Sequence, residues 1–150
     1  MTSNKATVGM VLGVPATFDQ AGFEALTYQE YGELTNVPQF GATATIVESN
    51  PLKTAIVQKY VGFVNFGSTT LEADYDDEDA GQELAANAVL PSHASFGEDF
   101  SFVLTLGTGT KYYWTGKFSG APITVGSANS MVTTSATVEI NSEILKVAAP

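Results

Sequence analysis

The chain has 150 residues, 44% of them hydrophobic, which suits one domain with a real core. Its net charge is -10, from 16 acidic residues against 6 lysines with no arginine. A main role in gripping nucleic acid is thereby excluded, because the guanidinium fork that holds phosphate and guanine edges is missing. No cysteine is present, which removes disulfides and thiolate metal sites, and no apolar run approaches the roughly 20 residues of a membrane span.

Charged residues make up only 15% of the chain, below the roughly 25% of an ordinary soluble domain, so much of the polar surface is Ser, Thr and Asn. The charge is uneven: residues 1–99 carry a net -11 and residues 100–150 a net +1. Two unlike ends favour pairing between copies.

In chain order, Lys5 precedes an apolar stretch, Ala6 to Pro15, ending near Ala16. It loosely resembles a signal peptide, but a glycine breaks it and one basic residue precedes it, so an N-terminal arm or strand is the better reading. Residues 17–35, with Phe18, Phe23, Leu26, Tyr28 and Tyr31, read as a loop followed by a strand. Asn36-Val37-Pro38 marks a turn. Residues 41–48 and 54–66 carry strand-like densities of β-branched and aromatic residues, separated by Ser49-Asn50-Pro51. Residues 69–75 alternate cleanly, with Leu71, Ala73 and Tyr75 on one face and Thr70, Glu72 and Asp74 on the other.

Residues 76–90 read as the one convincing helix. Asp76 is the expected N-cap, Asp77, Glu78 and Asp79 fill the first turn, Ala80, Leu84 and Ala88 form an apolar stripe, and Pro91 follows the end. The last third reads as β throughout. Phe100, Phe102, Leu104 and Leu106 alternate, and Gly107-Thr108-Gly109-Thr110 is a hairpin turn. Tyr112, Trp114, Gly116 and Phe118 share a face, and Val132, Thr134, Ala136, Val138 and Ile140 alternate with Thr133, Ser135, Thr137, Glu139 and Asn141. The fold class is mainly β: a β-sandwich or barrel with one packed α-helix.

Chemistry is sparse. His93 is the only imidazole and sits in a Pro-Ser-His-Ala loop, which is poor material for a triad or a zinc site. The acidic cluster Asp74, Asp76, Asp77, Glu78, Asp79 and Glu83 fits no EF-hand frame: counted from Asp74 the sixth position is Asp79, and counted from Asp76 the twelfth is Asn87. Gly107-Thr108-Gly109 lacks a third glycine and a following helix. Tyr112, Tyr113 and Trp114 could line a sugar site, but on a strand they suit core packing or subunit contact better. No cofactor, metal or catalytic residue is expected.

Three segments carry a resemblance. Leu71-Glu72-Ala73-Asp74-Tyr75-Asp76 followed by Asp79-Ala80-Gly81-Gln82 and Leu84 is similar to the strand, acidic turn and short helix of the major tail tube protein of long-tailed (siphovirus-type) phages. Tyr113-Trp114-Thr115-Gly116-Lys117-Phe118 resembles that family's aromatic-x-Gly strand, and Ser135 to Ile144 its closing strand, although Ser142 stands where the family has Gly. Upstream, Tyr31 to Pro38 resembles the segment that leads in, so the resemblance spans residues 30–146.

The resemblance implies hexameric rings, sheets of neighbouring subunits joined around a lumen, and rings stacked into a tube that conducts DNA without binding it specifically. It also implies contact with a tape measure protein, a tail terminator and tail-tip proteins, and a place in the virion tail after assembly in the host cytoplasm. The expected organisation is a single domain over 1–150, an N-terminal arm over about 1–20 and no C-terminal immunoglobulin-like extension. An acidic lumen would repel phosphates and keep DNA sliding, which makes Glu72, Asp74 and Glu139 the candidate lumen-facing residues. Asn50, Pro51, Leu52 and Lys53 form the candidate ring-stacking loop. Readings also open are the tube ring of a contractile tail, gene transfer agent or type VI secretion system, a secreted carbohydrate-binding β-sandwich, and an acidic-pair hydrolase.

Overall fold

A computed structural model describes residues 5–149. Among them, one nine-stranded antiparallel sheet carries the core and a separate two-stranded hairpin leaves it. The strands are β1 (Ala6–Leu12), β2 (Gln29–Glu30), β3 (Leu34–Asn36), β4 (Thr43–Ser49), β5 (Gln58–Asn65), β6 (Ser68–Asp74), β7 (Phe100–Leu106), β8 (Lys111–Gly120), β9 (Ile123–Thr124), β10 (Thr133–Ile140) and β11 (Leu145–Val147). The main sheet runs β2-β1-β7-β8-β10-β6-β3, with β9 continuing on β10 and β11 on β8. The hairpin is β4-β5, and two helices are present, α1 (Gln20–Glu24) and α2 (Ala80–Asn87).

The N-terminal stretch, expected as an arm or strand, is in its described part strand β1, paired along its whole length with β7 from Ala6 opposite Leu106 to Leu12 opposite Phe100. Val8 and Met10 alternate into the core and have no exposure, so the sheet claims this segment. The first four residues of the expected arm lie outside the described residues.

Period-two alternation places the core where the sequence predicts. Phe102 lies opposite both Met10 and Trp114, and Ala136 lies opposite Leu71. Trp114 is sandwiched between Phe102 (ring centroids 5.6 Å apart) and Phe40 (5.5 Å), while Phe118 meets Phe100 and Phe102 edge-on. Such offset and edge contacts add about 1 kcal/mol per pair to the area buried. Ala85 of α2 and the C-cap residue Ala88 close this core over the sheet.

The expected helix over 76–90 shortens to α2, and its N-cap is Asp79, not Asp76. Asp76 is committed elsewhere: its Oδ1 accepts the Glu78 N–H at 3.0 Å, closing a turn of its own before the helix starts. Asp79, in extended backbone, accepts the Gln82 N–H at 2.9 Å.

The segment 17–35, expected as loop and strand, also holds α1, capped by Asp19 on the Gly22 N–H at 2.7 Å. A single turn carries too little periodicity to be seen in sequence, and its existence rests on Phe23, fully buried on Tyr113 at 5.2 Å. Ser142 shows how a residue other than Gly serves after β10. Its Oγ accepts the Thr115 N–H at 2.9 Å, filling the ladder position where the chain bends from β10 into β11.

Candidate functional site

Two surfaces are left over once the core is filled. The first is the outward face of β6, β10 and the second half of β8. In register, Asp74 lies opposite Thr133, Glu72 opposite Ser135, Thr70 opposite Thr137, and Glu139 between Ser68 and Lys117. Alternation sends all of these away from the core, so Glu72, Asp74 and Glu139 share one polar face. The Asn36 amide donates to Glu72 at 2.6 Å and the Ser119 hydroxyl to Glu139 at 3.3 Å. Lys117 turns toward Asp99, 3.2 Å away, and donates to the Gly97 carbonyl at 2.7 Å. The other half of the outward face, over β7 and the start of β8, is covered by Phe23, Tyr28 and α1.

The second surface is the β4-β5 hairpin. Among the described residues its strands pair only with each other, from Thr43 opposite Asn65 to Ser49 opposite Gln58. Ile46 opposite Val61 puts apolar groups on one face, and Val47 opposite Tyr60 puts them on the other. Phe63 is 91% exposed, Val61 71% and Ile56 68%. The expected stacking loop Asn50-Pro51-Leu52-Lys53 lies at the far end of this arm, where Leu52 is 98% exposed. There the Ala55 N–H closes a turn on the Pro51 carbonyl at 3.1 Å, with Ala55 itself left-handed at φ 54°. Phe40 on the way out and Phe66 on the way back pack against the core and fix the base of the arm.

The extent of the arm is not evident from the sequence, although it carries a signal. Strands apolar on both faces belong between two partners, and the other described residues supply neither.

Enzymatic readings find little geometry. His93 is exposed, its Nδ1 facing the Ser95 hydroxyl at 2.8 Å. Among the described residues no three acidic or histidine side chains converge on a metal-sized site. A cavity of about 340 Å³ lined by Leu34, Val37, Phe40, Leu104 and Leu106 holds no carboxylate. Tyr113 and Trp114 are 2% and 0% exposed, so the strand offers no aromatic platform for a sugar. Burial pushes the phenol of Tyr31 up to about 12, with the Asp79 charge adding to it and a hydrogen bond with Thr134 opposing it. Burial also raises Tyr28 and Tyr113, in positions that pack α1 on the sheet.

No family model matches the sequence, and a search of curated proteins gives no match. Solved structures do match over nearly the whole chain. A chain of the anti-feeding prophage baseplate, symmetrised six-fold, superposes with a TM-score of 0.73 at 11% identity, covering 98% of this chain and 95% of that one. A chain of the native gene transfer agent virion gives 0.67 at 12% identity, with 99% of both chains covered. The tail tube of SPP1 gives 0.60 at 13% identity, covering 93% of this chain and 76% of that one. The fold is therefore the curled-sheet, single-core-helix fold seen in the tail tubes of phages and related particles. At this identity the likeness is one of architecture.

Proposed function

We propose that the chain is a structural subunit of a tail tube, assembling as hexameric rings that stack into a hollow conduit for DNA. The observation that carries this reading is the β4-β5 arm: an extended hairpin apolar on both faces, which a monomer would leave in water at a cost of roughly 25 cal/mol per Å² of apolar surface. The likeness to tube-bearing particles says what kind of assembly would cover it.

Within that class, the three sequence segments favour the tube of a long flexible phage tail over a contractile tail or gene transfer agent. The polar face of Glu72, Asp74 and Glu139 suits a lumen wall that repels phosphate, and the loop from Asn50 to Lys53 suits contact between rings. A tape measure protein, a terminator and tail-tip proteins are the remaining partners of such a tube, in the virion tail.

Negative-stain electron microscopy over a concentration series tests the proposal. Six-fold rings or hollow tubes are expected. A monodisperse monomer at every concentration, with affinity for glycans, overturns it in favour of a carbohydrate-binding module.

A further inference from the structure

Beyond stacking as such, the structure points to where the arm of one copy is received. The core face of the sheet does not end at the core. Past the ends of β6 and β10 the pairing is carried on by the Tyr75 N–H on the Val132 carbonyl at 2.8 Å, and Val125 follows directly on β9 beside them. Tyr75 is 40% exposed, Ile123 47%, Val125 66% and neighbouring Met131 70%. The result is an apolar lip, and its rim is acidic: residues 72–83 carry seven acids and no lysine, with Asp77 and Glu78 exposed beside Tyr75.

The arm leaves the sheet just before β6 begins, and the lip lies where β6 ends, six residues or about 20 Å further along the strand. The arm is apolar and carries two exposed lysines, Lys53 near its tip and Lys59, against one acid, Glu48, which lies opposite Lys59. Arm and lip thus match in character, oppose in charge and sit at opposite ends of one strand. A contact between unlike ends is heterologous and, where its rotation does not close, repeats into an open filament, which is what a growing tube requires. We infer that the lip formed by Tyr75, Ile123, Val125 and Met131, rimmed by Asp77 and Glu78, seats the β4-β5 arm of a second copy of this chain. The inference rests on the tube reading and assigns the acceptor surface within it.

The natural chain has no cysteine, so a designed pair reports without background. Leu52→Cys with Val125→Cys in one chain, assembled and then oxidised with copper-phenanthroline, should give a ladder of covalent multimers. Either single variant should stop at dimers or remain monomeric. In parallel, Lys53→Glu with Lys59→Glu should lower tube yield at least tenfold, and adding Asp77→Lys with Glu78→Lys should restore it; all four positions are exposed, so melting curves should match the parent. Tubes that form in full yield but give no ladder, or that ignore the charge reversal, overturn the acceptor assignment and leave the tube reading standing. If the parent protein forms neither rings nor tubes, the tube reading itself fails.

Discussion

Asp79 and Gln82 are joined twice over: the Asp79 carboxylate caps the Gln82 backbone N–H at 2.9 Å, and both side chains reach across to Gly32, Asp79 accepting its N–H at 3.1 Å and the Gln82 amide donating to its carbonyl at 3.2 Å. The Gln82 amide also donates to the Asp74 carbonyl at 2.9 Å, and its oxygen accepts the Asp76 N–H at 2.9 Å. One buried side chain therefore ties the helix start to the end of β6 and to the turn before β3. That is the physical content of the Asp-Ala-Gly-Gln run in the sequence.

Gln82→Ala should cost about 3 kcal/mol, because it strands three backbone groups in a site only 5% exposed. Asp79→Ala should cost about 2 kcal/mol through the lost cap and the orphaned Gly32 N–H, whereas Asp79→Asn keeps an acceptor and should cost less. Urea unfolding of the three variants measures the order.

Gly81→Ala sets two effects against each other. Helix propensity favours Ala by about 1 kcal/mol. The added Cβ, however, would collide with the Glu30 carbonyl oxygen and stand 2.7 Å from the Tyr31 Cα, both backbone atoms that cannot swing aside. Overpacking should win, for a net loss of about 2 kcal/mol and a fall in Tm of roughly 5 °C. A gain in Tm would show that the strand ahead of the helix yields easily.

Deleting Pro51 to Lys53, or replacing Phe63 with Ser, should leave the monomer's Tm within about 2 °C, since Leu52 and Phe63 touch almost nothing of their own chain. Tube length measured by electron microscopy should nevertheless fall sharply, with isolated rings remaining. Normal tubes after the loop deletion would assign ring contact to another segment.

Replacing Glu72, Asp74 and Glu139 together with Lys should permit tube assembly and slow DNA ejection, because a wall that repelled phosphate would then attract it. Ejection timed by fluorescence of released DNA checks this, and unchanged rates would place the polar face outside the channel.

Tyr31 makes stability sensitive to alkali. Its folded pKa of about 12 lies above the unfolded value of about 10, so the folded state holds the proton more tightly. The associated stability is complete below about pH 10 and is lost as pH rises toward 12, and Tyr28 and Tyr113 act in the same direction. Melting curves from neutral pH upward, followed by tyrosinate absorbance, should show a cooperative loss in that window. Tyr31→Phe should make the fall shallower.

Much of the fold was legible because alternation is a local signal. The core face from Phe100 to Leu106, the turn at Gly107 to Thr110, the face shared by Leu71 and Ala73, and the long strand ending at Ile140 all follow from period two. The helix was legible in kind but displaced at its start, since consecutive acids from Asp76 to Asp79 offered more than one cap and only the contact with Gly32 selects Asp79. Helix α1 was not legible, because a single turn exists only where Phe23 finds Tyr113.

By itself the sequence determined the β class, the partition of β6, β7, β8 and β10 into dry and wet faces, the absence of cysteine and arginine chemistry, and the acidic bias of the segment before the helix. These depend on residue type and short-range period, which the chain carries with it. Only the tertiary structure decided that Glu139 lies on the same face as Glu72 and Asp74, that Gln82 bridges three segments, and that the strands over 43–65 leave the body as an arm. Those outcomes depend on which strand pairs with which, a long-range competition for one core. The main sheet buries Leu71 and Trp114 within the chain and leaves Val61 and Phe63 for a surface the described residues do not supply.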